Sequence, residues 1–357
     1  MFDKLTISSK IRGEYFVSFI DQLKYQLLIR ASDDRSLFVI DQKVYALFND
    51  EIKSVIERSR IILIECGEDT KTIEYCQIVI RQLLTHNVRK NDILVAIGGG
   101  ITQDIVAFIS SVLFRGVDWI FFPTTLLAQC DSCIGSKSSI NFDQYKNLVG
   151  TFNPPSEIYI YLGFLKTLGK SEIKSGIGEM LHYFFNDGIN LANSISEQYK
   201  SLLENVDLLA YFINNSLRIK KRIIEIDEFD TEIRHIFNYG HTFGHAIESI
   251  TNYEIPHGQA ISIGMDIANF ISYKKQMISI EVFNQMHQIL QKNMPHFELS
   301  KENIDIYLTS LSKDKKNKGN RLGCILTFGP GKMEKFFCDL DEDFKRLLLE
   351  YSRLYLS

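Results

Sequence analysis

Short apolar runs alternate with helix-spaced apolar positions through the first half of the chain. Ser36–Asp41 (SLFVID), Arg60–Glu65 (RIILIE), Asp92–Ile97 (DILVAI) and Trp119–Phe122 (WIFF) are nearly continuous apolar segments. That is the pattern of strands buried on both faces. Between them, Lys71–His86 (KTIEYCQIVIRQLLTH) and Gln103–Leu113 repeat apolar residues every three or four positions, as a helix laid on a core does. Strand–helix alternation at this spacing predicts a parallel sheet covered by helices. From about Leu168 the period changes. Leu208–Ile226 and Glu281–Lys292 read as long amphipathic helices, and Lys313–Asn320 (KDKKNKGN) reads as a charged turn before a strand at Leu322–Thr327. The expected architecture is an α/β part over residues 1–165 and a mostly α-helical part over residues 166–357.

Length agrees with two domains: 357 residues, 45% hydrophobic and 24% charged, suffice for a sizeable core. Forty basic against 44 acidic side chains leave a net charge of −4, which gives no reason to expect nucleic acid or an anionic membrane as partner. The most apolar region, 104–122, is interrupted by Arg115 and Asp118, so no membrane span is expected. The start, MFDKLTISSK, lacks an apolar signal core. Six cysteines are too sparse for a disulfide scaffold, and a reducing cytoplasm is the expected compartment. Cys130 and Cys133 form one C-x-x-C without the second pair that a zinc ribbon needs. They read either as a redox dithiol or as two small thiols buried in a turn.

Two stretches carry candidate chemistry. Gly98-Gly99-Gly100 follows a buried strand and precedes a helix, where glycine lets the backbone approach a phosphate and the helix N-terminus favours an anion. The spacing is not G-x-G-x-x-G, so a pyrophosphate site and a plain tight turn both stay open. Asn238-Tyr239-Gly240-His241-Thr242-Phe243-Gly244-His245 places two imidazoles one helical turn apart, with His257 close behind. Both could bind zinc, or one could bind metal while the other serves a substrate. Glu179, after Gly176 and Gly178 in an apolar stretch, needs a partner such as a cation or a surface salt bridge. Lys137, Lys146, Asn147, Lys220, Arg234 and Lys316 are the candidates for holding a phosphorylated substrate.

Five blocks together are specific: Ile97–Asp104 (IGGGITQD), Pro123–Lys137 (PTTLLAQCDSCIGSK), Lys146–Gly150 (KNLVG), Asn238–Glu248 (NYGHTFGHAIE) and His257-Gly258. Through them the chain resembles the 3-dehydroquinate synthases, members of the sugar phosphate cyclases, from about Asp41 to Gly329. The resemblance implies an NAD-binding α/β domain, a helical domain holding zinc or cobalt, and a homodimer. It assigns Glu179, His241 and His257 to the metal and leaves His245 for substrate and proton transfer. It places NAD near Asp41, Glu68, Lys71, Gly99, Gly100, Asp104, Thr124, Thr125, Lys146 and Thr167. Asp131, Lys137, Asn147, Lys220, Arg234, Asn238, His245 and Lys316 become substrate contacts, with Lys137, Lys220, Asn238 and His245 catalytic. Arg115 matches an arginine that reaches the neighbouring subunit's phosphate pocket.

The implied reaction turns 3-deoxy-D-arabino-heptulosonate 7-phosphate into 3-dehydroquinate and phosphate by NAD-dependent oxidation, phosphate elimination, reduction and aldol closure. One position departs from the family. Where it has Glu-x-x-Lys, this chain has Glu179-Met180-Leu181-His182, and histidine is shorter and only partly charged near neutrality. Arg234, Asn238 and His245 keep the dehydroquinate synthase pattern, and relatives acting on carboxylate-free sugars lack that arginine. The alternatives are another sugar phosphate cyclase, acting for example on sedoheptulose 7-phosphate, or an oxidoreductase of the glycerol dehydrogenase kind.

Overall fold

The computed structural model describes residues 2–143, 145–313, 317–319 and 321–356. The chain divides into two compact units. One is Met1–Leu168 with Lys220–Phe229, the other Gly169–Ile219 with Asp230–Ser357. The segment Lys220–Phe229, which the sequence reading counts with the helical part, groups with the first unit. Its anchors are polar: Lys220 Nζ lies 2.7 Å from Asp131 Oδ1, and Glu228 accepts from Ser9 Oγ at 2.8 Å and from Lys10 N at 2.7 Å.

The first unit holds strands β1 (Leu5–Ser9), β2 (Gly13–Phe19), β3 (Ser36–Asp41), β4 (Ile61–Ile64), β5 (Ile93–Gly98), β6 (Asp118–Pro123), β7 (Lys137–Phe142), β8 (Tyr145–Phe152) and β9 (Glu157–Ile160). Its helices are α1 (Leu23–Ala31), α2 (Gln42–Leu47), α3 (Asn49–Lys53), α4 (Ile73–Thr85) and α5 (Gly100–Val112). Seven strands form one sheet in the order β1-β2-β9-β6-β5-β3-β4, parallel except for the β1–β2 hairpin at its edge. β7 and β8 make a separate antiparallel ribbon. Alternate residues Phe38 and Ile40, Val95 and Ile97, Ile120 and Phe122 share one core with Leu23, Leu27 and Ile52 from the helices. The order has a functional consequence. β4 lies on one side of β3 and β5 on the other, so the winding reverses between β3 and β5. A crevice opens outside the carboxyl ends of strands at such a reversal. Asp41 ends β3 there, Gly98 ends β5, and Gly99 and Gly100 begin α5.

The second unit is built on α6 (Lys170–Asp187), α7 (Asn190–Glu204), α8 (Leu209–Ile224, whose end from Lys220 belongs to the first unit), α9 (His241–Ile250), α10 (His257–Lys274), α11 (Ile280–Leu290), α12 (Ile304–Ser312) and α13 (Glu342–Tyr355). An antiparallel pair, β10 (Arg321–Thr327) and β11 (Met333–Asp339), completes it. α10 is the central helix, with fifteen of its residues, Gly258 to Ser272, buried without a break.

Two glycine contacts bring its neighbours into backbone contact. A Cβ on Gly178 of α6 would lie 1.9 Å from the Gly258 carbonyl oxygen, and one on Gly264 of α10 would lie 2.1 Å from that of Gly240. These approaches carry Glu179 of α6 and the histidines of α9 to the start of α10. Gly178→Ala forces two backbones apart, the severe end of overpacking, and is expected to cost about 3 kcal/mol. A calorimetric melt and a Co²⁺ titration of the variant should show lowered stability and weakened cation binding; wild-type values in both would refute this account of how the site is assembled.

Candidate active site

In the second unit four side chains converge. Glu179, one turn before His182 on α6, is 2% exposed. Its Oε1 lies 3.1 Å from His257 Nε2 and 3.6 Å from His241 Nε2, and it accepts no hydrogen bond among the described residues. His241 Nδ1 is 3.2 Å from the Tyr239 carbonyl oxygen, and His257 Nδ1 is 3.1 Å from Glu248 Oε2. With each Nδ1 directed outward, both Nε2 atoms face the same carboxylate oxygen. Positive charge among them, a bound cation or a proton on His257, offsets the buried carboxylate. The spacing also suits a cation: tetrahedral zinc with bonds of about 2.0–2.1 Å has a ligand–ligand edge of about 3.3 Å. The residues therefore fit a divalent metal. His245, exposed one turn along α9, has its ring 5.4 Å from that of His241 and 5.6 Å from that of His257. His241, His245 and His257 each offer a nitrogen within 4.8 Å of the others.

Burial by itself lowers the His257 pKa. The Glu179 and Glu248 carboxylates on its two ring nitrogens outweigh that and raise it well above the ordinary imidazole value. The same two anions attract a divalent cation. His182 is buried beside the cluster, its ring 4.9 Å from that of His241 and its Nδ1 3.9 Å from Glu179 Oε2. Arg234 is buried on the turn before α9, and Asn238 Nδ2 donates to the His235 carbonyl oxygen at 3.0 Å. Asn238 and Thr242 line a cavity of about 280 Å³ with Asp230, His235, Cys324 and Lys335.

The first unit gathers a second set. Gly99 caps α5 at the end of β5 and Gly100 is its first residue, so the helix N–H groups face the β3–β5 crevice. Thr124 N donates to the Gly98 carbonyl oxygen at 2.9 Å, and Thr125 Oγ1 accepts from Ala128 N at 3.2 Å. Asp41 accepts from Lys43 N at 2.8 Å and starts α2. Lys71 is buried, its Nζ 2.6 Å from Asp104 Oδ2 and 2.7 Å from Asn147 Oδ1. Burial pushes the Asp104 carboxyl above its ordinary value, and the Lys71 ammonium offsets this only in part. Glu68 Oε1 accepts from Asn141 Nδ2 at 2.8 Å and lies 3.6 Å from Lys146 Nζ.

One π-helical turn, Ala128–Ser132, carries Asp131, and Lys220 Nζ bonds both its carboxylate and its main-chain oxygen at 2.7 and 2.8 Å. Such turns recur at functional sites. Asn147 thus joins the Lys71–Asp104 cluster. Lys137 is exposed at the start of β7, and Thr167 is exposed with its hydroxyl on the Phe164 carbonyl oxygen at 2.9 Å. Arg115 is exposed in a turn where Phe114, Arg115 and Gly116 all have positive φ. Lys316 lies outside the described residues.

Comparison with known proteins decides the family. Residues 61–175 match the 3-dehydroquinate synthase N-terminal family and residues 176–317 the 3-dehydroquinate synthase C-terminal family. The 3-dehydroquinate synthase of Clostridium tetani is 35% identical over 292 residues, 81% of this chain and 78% of that protein. The chain belongs to the 3-dehydroquinate synthase family. A Thermoanaerobacter 3-dehydroquinate synthase is 32% identical over 344 residues, 93% of this chain and 96% of its own length. The fold is that of a 2-deoxy-scyllo-inosose synthase solved with carbaglucose-6-phosphate, NAD⁺ and Co²⁺, with a TM-score of 0.84 over 99% of this chain and 100% of that one at 22% identity.

Within the family fold, the C-x-x-C is structural. Cys130 and Cys133 are buried free thiols, and burial pushes Cys133 up to about 12, far from the thiolate that redox exchange needs. Reading the motifs did not single out Glu248, Asn141 or Ser139. Glu248 could have been found: it lies seven residues after His241, on the same face of a helix. Asn141 and Ser139 gave no local signal, because their partners Glu68 and Asp104 are distant in sequence.

Proposed function

We propose that this chain converts 3-deoxy-D-arabino-heptulosonate 7-phosphate to 3-dehydroquinate and phosphate, with NAD as a catalytic cofactor and zinc or cobalt as the metal. The observation that carries the reading is the buried Glu179 oxygen facing two imidazole nitrogens in a chain of this family. Glu179, His241 and His257 would hold the metal. The β3–β5 crevice, with Asp41, the Gly99–Gly100 helix start, Thr124 and Thr125, would hold NAD, with Thr167 as a further contact. Glu68, Lys71, Asp104 and Lys146 support that region through the ion pairs and hydrogen bonds described. When bound, NAD supplies reversible hydride transfer and the metal supplies positive charge beside the oxygen whose carbon is oxidised.

The chain's own groups do the rest. His245 is exposed beside the two metal-holding imidazoles and would take a proton at the ring hydroxyl. Asn238 orients the sugar. Arg234 offers a planar fork matched to the substrate carboxylate. Lys137, Lys220 and Asn147, with Lys316, supply charge and donors for the phosphate, and Asp131 holds Lys220 in place. With NAD in the crevice supplying oxidation and later reduction, the C–H next to the oxidised carbon would be acidified, phosphate would leave by β-elimination, and ring opening and aldol closure would form the carbocycle.

A second reading rests on His182, which stands where the family has lysine: a sibling cyclase acting on another sugar phosphate such as sedoheptulose 7-phosphate. An oxidoreductase of the glycerol dehydrogenase kind is the third. We also propose a homodimer, supported by the exposed Arg115 turn, which would reach a neighbouring copy's phosphate pocket. Six free cysteines support a reducing compartment, the cytoplasm. No described helix is long and apolar enough to cross a membrane.

Because the hydride returns, product should exceed the NAD supplied, without a steady rise of free NADH absorbance. One NADH released per substrate consumed would overturn the cyclase readings in favour of a dehydrogenase.

A further inference from the structure

His257 is held at both ring nitrogens. Nε2 faces Glu179 Oε1 at 3.1 Å from one side, and Glu248 Oε2 meets Nδ1 at 3.1 Å from the other. The Glu248 side chain is 11% exposed. It lies on the face of α9 that carries His241 and His245. The turn joining α9 to α10 is built to bring His257 back onto it. Asn252 and Tyr253 are consecutive residues in the left-handed region, φ 48° and 63°, a conformation that asparagine tolerates and that is uncommon for a bulky residue such as tyrosine. Tyr253 N then donates to the Glu248 carbonyl oxygen at 2.8 Å. The strained turn and the carboxylate thus act on one ring.

We propose that Glu248 is a positioning residue for the metal site: through the His257 Nδ1–H it sets the tautomer and direction of the ring and brings the local carboxylate charge to two. The inference rests on the metal reading above. An imidazole can present either nitrogen, and a carboxylate at Nδ1 keeps the proton there and the lone pair on Nε2. The charge count matches as well. Glu179 and Glu248 together carry two negative charges, which balance a divalent cation among neutral imidazoles. His241 is oriented differently, by the neutral Tyr239 carbonyl oxygen, so His257 is the ligand whose basicity a charge change at Glu248 would alter. Glu248 has no place on the reacting atoms.

The test uses the full chain stripped of metal by chelation and titrated with Co²⁺, followed by visible absorption and by competition with a chromophoric chelator. Wild type should bind Co²⁺, and Glu248→Gln, which keeps size and a hydrogen-bond acceptor but loses the charge, should bind 10- to 100-fold more weakly. In a His257→Ala background, Glu248→Gln should cause little further loss, since its effect passes through that ring. Equal Co²⁺ affinity in wild type and Glu248→Gln overturns the inference. So do additive losses in the double variant, which remain readable if Glu248→Gln also lowers the melting temperature. Failure of wild type to bind Co²⁺ overturns the metal reading itself, a distinct outcome.

Discussion

Prolonged chelation should abolish phosphate release from the heptulosonate phosphate, and added zinc or cobalt should restore it. Glu179 Oε1 and the Nε2 atoms of His241 and His257 lie within 3.1–3.6 Å across the pairs measured. Burying that carboxylate at 2% exposure is unfavourable unless something positive compensates it. The charge beside the substrate oxygen is worth several kcal/mol in the transition state, so its loss should lower the rate by about three orders of magnitude or more. His241→Ala and Glu179→Ala should behave as the chelated protein does and resist rescue at metal levels that restore wild type. Full activity in thoroughly metal-free protein would remove the metal from the account.

The second large effect concerns Arg234. Arg234 is buried on the turn leading into α9, and its planar fork of donors matches a carboxylate in a bidentate geometry. A keto acid substrate supplies a carboxylate; a neutral heptulose phosphate does not. Arg234→Ala should lower kcat/KM on the heptulosonate phosphate by about 2–5 kcal/mol, roughly thirtyfold to several thousandfold. Wild type should turn over sedoheptulose 7-phosphate and glucose 6-phosphate far more slowly. His182 supplies the counter-test. If the chain is a drifted dehydroquinate synthase, His182→Lys should raise activity on the keto acid. If sedoheptulose 7-phosphate outcompetes the keto acid in a mixed assay and His182→Lys does not help, the substrate assignment falls while the cyclase chemistry stands.

Local pattern was enough for the elements whose stability is local or whose surroundings are uniform. β3, β5, β6, α4 and α5 lie within about three residues of the positions read from the chain, because continuous apolar runs can be buried on both faces only as inner parallel strands. Thr72 caps α4, where its hydroxyl accepts from Tyr75 N. The glycine turn before α5 and the one-turn spacing of His241 and His245 were visible for the same reason: backbone geometry alone sets them.

Other features needed the folded chain. The β7–β8 ribbon escaped notice because much of β8 is exposed and carries no apolar alternation. The end of α8 belongs to the first unit through the Lys220–Asp131 pair, and helical periodicity cannot say which core an amphipathic turn will join. Asn147 reads in sequence as a candidate substrate contact, but that its Oδ1 accepts from Lys71 Nζ, 76 residues away, is visible only in the folded chain. Above all, Glu179, His241 with Glu248, and His257 come from three separate helices. Their convergence depends on backbone contacts at Gly178–Gly258 and Gly240–Gly264, where the absence of a Cβ lets α6 and α9 approach α10. Residue types and spacings specify which groups are available, but distances of 3 Å between remote side chains arise only when packing has brought the helices together.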